Sequence, residues 1–97
     1  MSSVICIEFC YKGERHYVLI STKHSGQELT YKITVMNGDL EKMLMDCNVI
    51  EEYNGQLVLD DCVGNRQKME LKKEIIQALA NHLHKEIILK YSRQNSI

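Results

Sequence analysis

The sequence predicts an α+β fold: a mainly antiparallel sheet of four to five strands, in the order βββαββα, with a C-terminal helix packed on one face. Three observations predict it. The first third of the chain alternates apolar and polar residues, which is the two-residue period of strands. The five glycines all lie between periodic segments, as turn residues do, and the chain contains no proline. A late segment repeats its apolar residues at spacings of three and four, the period of a helix.

The first two strands are predicted from this alternation and from a turn signal. Val4–Tyr11 is the first strand, and its cysteines point away from its apolar face. A two-residue turn at Gly13-Glu14, with glycine first as a type II′ turn prefers, returns the chain as His16–Thr22. This register places Tyr11 opposite His16. The apolar face of the first strand is Ile5, Ile7, Phe9 and Tyr11.

A second tight turn adds a third strand. Placing this turn at Ser25-Gly26 sets Lys23 opposite Glu28, which is an attractive cross-strand pair. The apolar faces of the three strands then agree, and a slip of one residue would reverse them. The sequence therefore predicts a three-stranded antiparallel meander.

One short helix, one hairpin and one long helix complete the prediction. Asp39 is a good N-cap for a short helix from Leu40 to Cys47. Asn54-Gly55, the strongest short hairpin signal, joins two further strands. The last helix carries an apolar stripe, and Asn65 is a suitable cap for it. The two strands are Val49–Tyr53 and Gln56–Asp61, and the stripe is Leu71, Ile75, Ala78, Leu79, His82 and Leu83.

Length and composition indicate one folded domain. The chain has 97 residues, of which 44% are hydrophobic and 26% are charged, as in ordinary globular domains. We predict a single domain over residues 1–97, with 92–97 as a loose tail. No apolar run approaches the roughly 18 residues that a membrane span needs, and the N-terminus lacks the features of a secretory signal. We therefore expect a cytoplasmic protein that does not insert into membranes.

The distribution of charge suggests a candidate anion site. The net charge is −1, yet residues 1–64 carry ten acidic and five basic side chains while residues 65–97 carry three and seven. Basic residues near the free N–H groups at a helix start can bind anions. The alternative is that they only solvate the helix, or attract the acidic part of the fold. Nucleic acid is not expected, because aromatic residues do not interleave with the basic ones. The candidate residues are Arg66, Lys68, Lys72 and Lys73.

The cysteines are predicted to be free thiols. Cys6 and Cys10 would lie about 13 Å apart on one strand, beyond the roughly 7 Å limit for a disulfide. The same separation argues against a zinc knuckle, and His82 and His84 would diverge by about 200° around a helix. We predict no disulfide within the chain, no metal and no cofactor. The four cysteines are at positions 6, 10, 47 and 62.

Catalytic signals are weak. Cys6 and Cys10 lie on the sheet face opposite His16, so neither can form a nucleophile–base pair with it. The sequence contains no phosphate-binding glycine loop and no hydrolase or zinc-protease motif. A thiol-dependent enzyme is therefore only the third hypothesis.

The face of the meander that bears the cysteines is more apolar than a solvated face should be. Either one of the chain's own helices covers it, or another molecule does. We expect a small non-enzymatic interaction module that forms a homodimer or binds another protein. The alternative is a small-anion or ligand-binding domain that uses the basic start of the last helix. The predicted interface residues are Cys6, Cys10, Tyr17, Leu19 and Met36.

Overall fold

The computed structural model describes residues 3–26, 28–60 and 66–90. Its strands form one sheet in chain order, and its two α-helices follow β3 and β5. The strands are β1 (Ser3–Tyr11), β2 (Glu14–Ser25), β3 (Glu28–Val35), β4 (Val49–Tyr53), β5 (Gln56–Asp60) and β6 (Ile87–Lys90). The helices are α1 (Gly38–Leu44), which runs into a 3-10 turn over Met45–Cys47, and α2 (Arg66–Leu83).

The α+β class is confirmed; the sheet has six strands and is mixed, whereas a mainly antiparallel sheet of four to five strands was predicted. Neighbouring strands from β1 to β5 are antiparallel. The additional strand, β6, lies parallel to β5, with Leu57 beside Ile87. A parallel partner needs a crossover connection, and α2 provides it.

The first hairpin is shifted by two residues from its predicted register. Tyr11 pairs with Glu14, and the prediction that it faces His16 is wrong. The turn residues are Lys12 and Gly13, whose φ angles of 52° and 77° are both positive, as a type I′ turn requires. A shift of two residues keeps each side chain on its predicted face, because side chains alternate with a period of two.

The second hairpin shows the same shift. Ser25 pairs with Glu28, so Lys23 lies opposite Thr30 and the predicted Lys23–Glu28 pair does not form. The third hairpin is as predicted: Tyr53 pairs with Gln56 around a turn at Asn54-Gly55.

The short helix starts earlier than predicted. Asn37, rather than Asp39, is the N-cap, because its Oδ1 accepts a hydrogen bond from the Leu40 N–H at 3.1 Å. The α-helix ends at Leu44, and the predicted continuation to Cys47 is the 3-10 turn. The predicted cap Asn65, the end of the fifth strand at Asp61 and the tail 92–97 lie outside the described residues.

Both helices pack on one face of the sheet, which we call the inner face. Phe9 is only 4% exposed and lies on it, as predicted, beside the His16 ring at a centroid distance of 5.6 Å. Among the described residues, no helix combines the length and the apolar character needed to cross a bilayer. The core includes Ile7, Phe9, Val18, Ile20, Ile33, Leu44, Ile50, Leu57, Leu71, Ile75, Ile76 and Leu79.

The end of α2 is fixed by its backbone. His84 has a left-handed φ of 58°, and the N–H of Lys85 donates to the Ala80 carbonyl at 3.0 Å. This is the hydrogen bond of a Schellman cap. It reverses the chain within three residues, so that the Lys85 side chain reaches the sheet and β6 can begin at Ile87.

Candidate interaction surface

The sheet face that points away from both helices, the outer face, is open among the described residues. Alternation places the even-numbered residues of β1 and β3 and the odd-numbered residues of β2 on it. The described helices both contribute to the core on the inner face. Neither of the two described helices therefore covers the outer face.

Four of the five predicted interface residues lie together on this face. Cys6 is directly opposite Leu19 on β2. Tyr17 is the next outward residue on β2, and its carbonyl accepts a hydrogen bond from the Met36 N–H at 2.9 Å. Met36 is 59% exposed, which is a large exposure for an apolar side chain. We call Cys6, Tyr17, Leu19 and Met36 the outer-face patch.

The fifth residue, Cys10, does not join the patch. It lies opposite Arg15, and the Arg15 Nε contacts the Glu8 carboxylate at 2.9 Å. Glu8 precedes Cys10 on the same side of β1, so this exposed ion pair separates Cys10 from the patch. Sequence reasoning grouped Cys10 with the others because alternation identifies a face and not a position on it.

A second apolar region occupies the far end of the outer face. Tyr53, Val58 and Ile88 line a hollow of about 320 Å³ together with Glu51 and Leu89. Val58 lies between Glu51 and Ile88 on the adjacent strands. This region was not predicted because two of its five lining residues belong to β6, a strand that was not predicted.

The four predicted anion-binding residues do not share one exposed surface. Arg66 and Lys73 are exposed and Lys68 is half-buried, but Lys72 is only 3% exposed and so does not join a surface site. A long aliphatic stem allows lysine to be buried in this way. Lys73 lines an open cleft of about 370 Å³ together with Lys12, Glu70 and Glu74. The two carboxylates offset the two ammonium groups there, and anion binding stays a prediction.

The two exposed thiols lie on the opposite face of the sheet from His16. Cys6 and Cys10 are exposed on the outer face, whereas His16 lies on the inner face against Phe9. Cys47 is half-buried, and Cys62 is outside the described residues. Within the described ranges, no three His, Cys, Asp or Glu residues gather as a metal site would require.

The structure contains a polar network that sequence reasoning missed. The Tyr31 hydroxyl donates to Glu52 Oε1 at 2.5 Å, and Lys85 Nζ donates to Glu52 Oε2 at 2.6 Å. The side chains of Glu52 and Lys85 are 11% and 28% exposed. The network joins β3 and β4 to the segment between α2 and β6. The only signal in the sequence was that Glu52 alternates with Ile50 and so faces inward.

The electrostatics of this network favour an ionised Glu52. Burial alone would raise the pKa of Glu52, but hydrogen bonds from Lys85 and Tyr31 and the positive charge of Lys85 outweigh it, so its pKa is lowered. Burial, followed by the hydrogen bond to Glu52 and its negative charge, raises the pKa of Tyr31 far above the ordinary value. Both carboxylate oxygens of Glu52 are bonded, which suits a structural role.

No protein-family model matches the sequence, and comparison with curated proteins and with solved structures finds no match. The function must therefore be inferred from the geometry of the chain itself.

Proposed function

We propose that this chain is a small, non-enzymatic interaction module that acts in the cytoplasm and self-associates as a two-fold dimer through its outer-face patch. The observation that supports the proposal is the open outer face, where Cys6, Tyr17, Leu19 and Met36 adjoin one another. Soluble proteins seldom leave a contiguous apolar patch uncovered, and two-fold dimers are the commonest closed assemblies.

The size of the face is compatible with a stable interface. The six strands average about seven residues. With strands about 4.8 Å apart and a rise of about 3.4 Å per residue, the face measures roughly 29 by 24 Å, or about 700 Å². Stable interfaces bury about 600–1,000 Å² on each partner. Two copies would therefore have to use most of the face, with the outer-face patch at the centre of the meander.

The charges around the patch do not oppose self-association. The Glu8–Arg15 ion pair lies on one side and is neutral overall. Lys32 lies on the other side, two residues from Thr34, which faces Leu19. The rim therefore carries both signs of charge, so two copies do not meet as two like-charged surfaces.

Catalysis receives no comparable support from the described residues. A nucleophile needs a base within hydrogen-bond distance, and Cys6 and His16 lie on opposite faces of the sheet. The carboxylate with a shifted pKa, Glu52, is already occupied by Tyr31 and Lys85.

The test is Leu19→Glu, which places a charge inside the proposed contact, where desolvation penalises it. Wild-type protein should self-associate at micromolar concentration, and the variant should sediment as a smaller species while keeping its circular dichroism spectrum. Gln77→Glu is the matched control, because Gln77 is exposed on α2, on the other side of the molecule.

Each result has a definite meaning. A wild-type chain that is monomeric at high micromolar concentration would refute self-association. A folded Leu19→Glu variant that sediments in the same way as the wild-type protein would refute the role of the outer-face patch.

A further inference from the structure

β1 is a long edge strand. It has nine residues, Ser3–Tyr11, and among the described strands it pairs only with β2. The ladder between them runs without a bulge from the Ser3–Thr22 pair to the Tyr11–Glu14 pair. Proteins usually protect such an edge with proline, a bulge or several charges. β1 has only Glu8 as a charged residue and no proline.

The alternation of hydrogen-bonded and non-hydrogen-bonded pairs between β1 and β2 identifies which backbone groups of β1 are free. The pair that closes a two-residue hairpin is hydrogen-bonded, and hydrogen-bonded pairs alternate with non-hydrogen-bonded ones. Because Tyr11 and Glu14 close the hairpin, the odd-numbered residues of β1 bond to β2. The even-numbered residues point their N–H and C=O groups to the open side, which gives four donors and four acceptors. These residues are Val4, Cys6, Glu8 and Cys10.

An independent hydrogen bond supports this assignment of bonded and free residues. If the even-numbered residues of β2 bond to β1, its odd-numbered residues must bond to β3. The carbonyl of Tyr17 does accept the Met36 N–H on that side, at 2.9 Å.

We propose that β1 pairs antiparallel with β1 of a second copy, about a two-fold axis at Ile7, so that two six-stranded sheets join into one of twelve strands. The partner is again a second copy of this chain, but the contact is the strand edge. It is separate from the outer-face contact proposed above, and either can form without the other.

The residues of β1 select this register. An axis at Ile7 pairs all four free positions, Val4 with Cys10 and Cys6 with Glu8. On the inner face it places Ile5, which is only half-buried, opposite Phe9 of the second copy. The contact would cover apolar surface of Ile5 that is exposed in the single chain.

The two neighbouring registers are poorer. An axis at Glu8 would set the two Glu8 side chains directly opposite each other, and like charges in that position are destabilising. An axis at Cys6 would leave Cys10 without a partner in the strand. The nine residues are thus most self-complementary when they overlap completely.

Cysteine cross-linking tests the register. Directly opposite residues in a hydrogen-bonded pair have Cα atoms about 5.5 Å apart, within the range of a disulfide. In a Cys6→Ser background, Val4→Cys should link to Cys10 of the second copy under oxidised glutathione, and most of the protein should run as a covalent dimer on a non-reducing gel. The matched control adds Cys10→Ser and should stay monomeric on the gel.

The native cysteines give an opposite expectation. In this register neither Cys6 nor Cys10 faces another cysteine, so oxidised Leu19→Glu protein, in which the outer-face contact is broken, should not form a dimer through them. A Cys6–Cys6 or Cys6–Cys10 link, identified by mass spectrometry, would overturn the proposed axis. Absence of the Val4→Cys link would overturn the pairing itself.

A backbone substitution separates the edge from the outer face. Glu8→Pro removes an N–H that points to the open side and none that bonds to β2, a position where strands accept proline. In the Val4→Cys background it should lower the yield of cross-linked dimer at least tenfold. Glu8→Ala, which loses the same side chain but keeps the N–H, should not lower it. Equal yields from the two variants would refute the edge contact.

Leu19→Glu completes the test, since it breaks only the outer-face contact. The Val4→Cys link should survive it. If Leu19→Glu abolishes the link, the cross-link comes from the outer face and the edge proposal fails. If Glu8→Pro does not fold, the cross-linking comparison between Val4→Cys and its Cys10→Ser control still decides the question.

Discussion

Lys85 is expected to stabilise the fold through Glu52, and Lys85→Met tests this. The substitution keeps much of the aliphatic stem and removes the ammonium that donates to Glu52 at 2.6 Å. A hydrogen bond to a charged group contributes about 1.5–3 kcal/mol. Breaking a fully buried ion pair costs about 3–5 kcal/mol. Because the Lys85 side chain is 28% exposed, water can partly replace its ammonium as a hydrogen-bond donor to Glu52. We therefore expect a loss of about 2 kcal/mol in the free energy of unfolding.

This loss is large enough to measure. A domain of this length is stable by about 5–15 kcal/mol, and each kcal/mol shifts the Tm by about 4–8 °C. Lys85→Met should therefore lower the Tm by about 8–16 °C at pH 7. Urea unfolding followed by circular dichroism gives the free energy directly. Lys85→Arg, which keeps the charge, should lose much less, and Lys73→Met is the matched control because Lys73 is exposed on α2.

The pH dependence follows from the lowered pKa of Glu52. A carboxylate whose pKa is lower in the folded state than its ordinary value of 4.5 stabilises the fold above that pH, and the contribution is lost as the pH falls through the folded-state pKa. The cost of Lys85→Met should accordingly shrink below about pH 4.5. A variant as stable as wild type at pH 7, or one whose cost is the same at pH 7 and pH 3, would refute this reasoning.

Two further predictions concern the core and the thiols. Phe9→Ala should cost about 3–5 kcal/mol in urea unfolding, because Phe9 is 4% exposed, and an unchanged midpoint would contradict its place in the core. Cys10 should react with a thiol reagent without denaturant, since it is exposed and free and lies outside the outer-face patch. Freshly purified protein should contain neither a disulfide within the chain nor a stoichiometric metal, and one tightly held zinc per chain would contradict this expectation.

The faces of the strands could be predicted from the sequence, but the pairing partners in the first two hairpins could not. Alternation has a period of two, so a register shifted by two residues satisfies it equally well. Only the turn distinguishes the two registers. In the first hairpin it uses Lys12 at a φ of 52°, which few residues other than glycine adopt. Asn54-Gly55 was placed correctly because asparagine and glycine are the usual residues of that turn.

The missed features depend on contacts between distant parts of the chain. Ile87–Lys90 has only four residues, and its partner β5 ends 27 residues earlier at Asp60. The Glu52–Lys85 contact spans 33 residues. For the outer-face patch, alternation predicted the face, but only the structure shows that Cys10 lies beyond the Glu8–Arg15 pair.

Because β6 pairs with β5 in parallel, the packing of α2 on the sheet also protects the chain from aggregation. The chain passes through α2 between β5 and β6, so the helix on the inner face holds β6 in reach of β5. If α2 separated from the sheet, β6 would leave with it and β5 would become an unpaired edge. The segment Leu57-Val58-Leu59, which is buried in the folded chain, would then be available to pair with other chains. Substitutions that loosen α2 should therefore reduce solubility as well as stability.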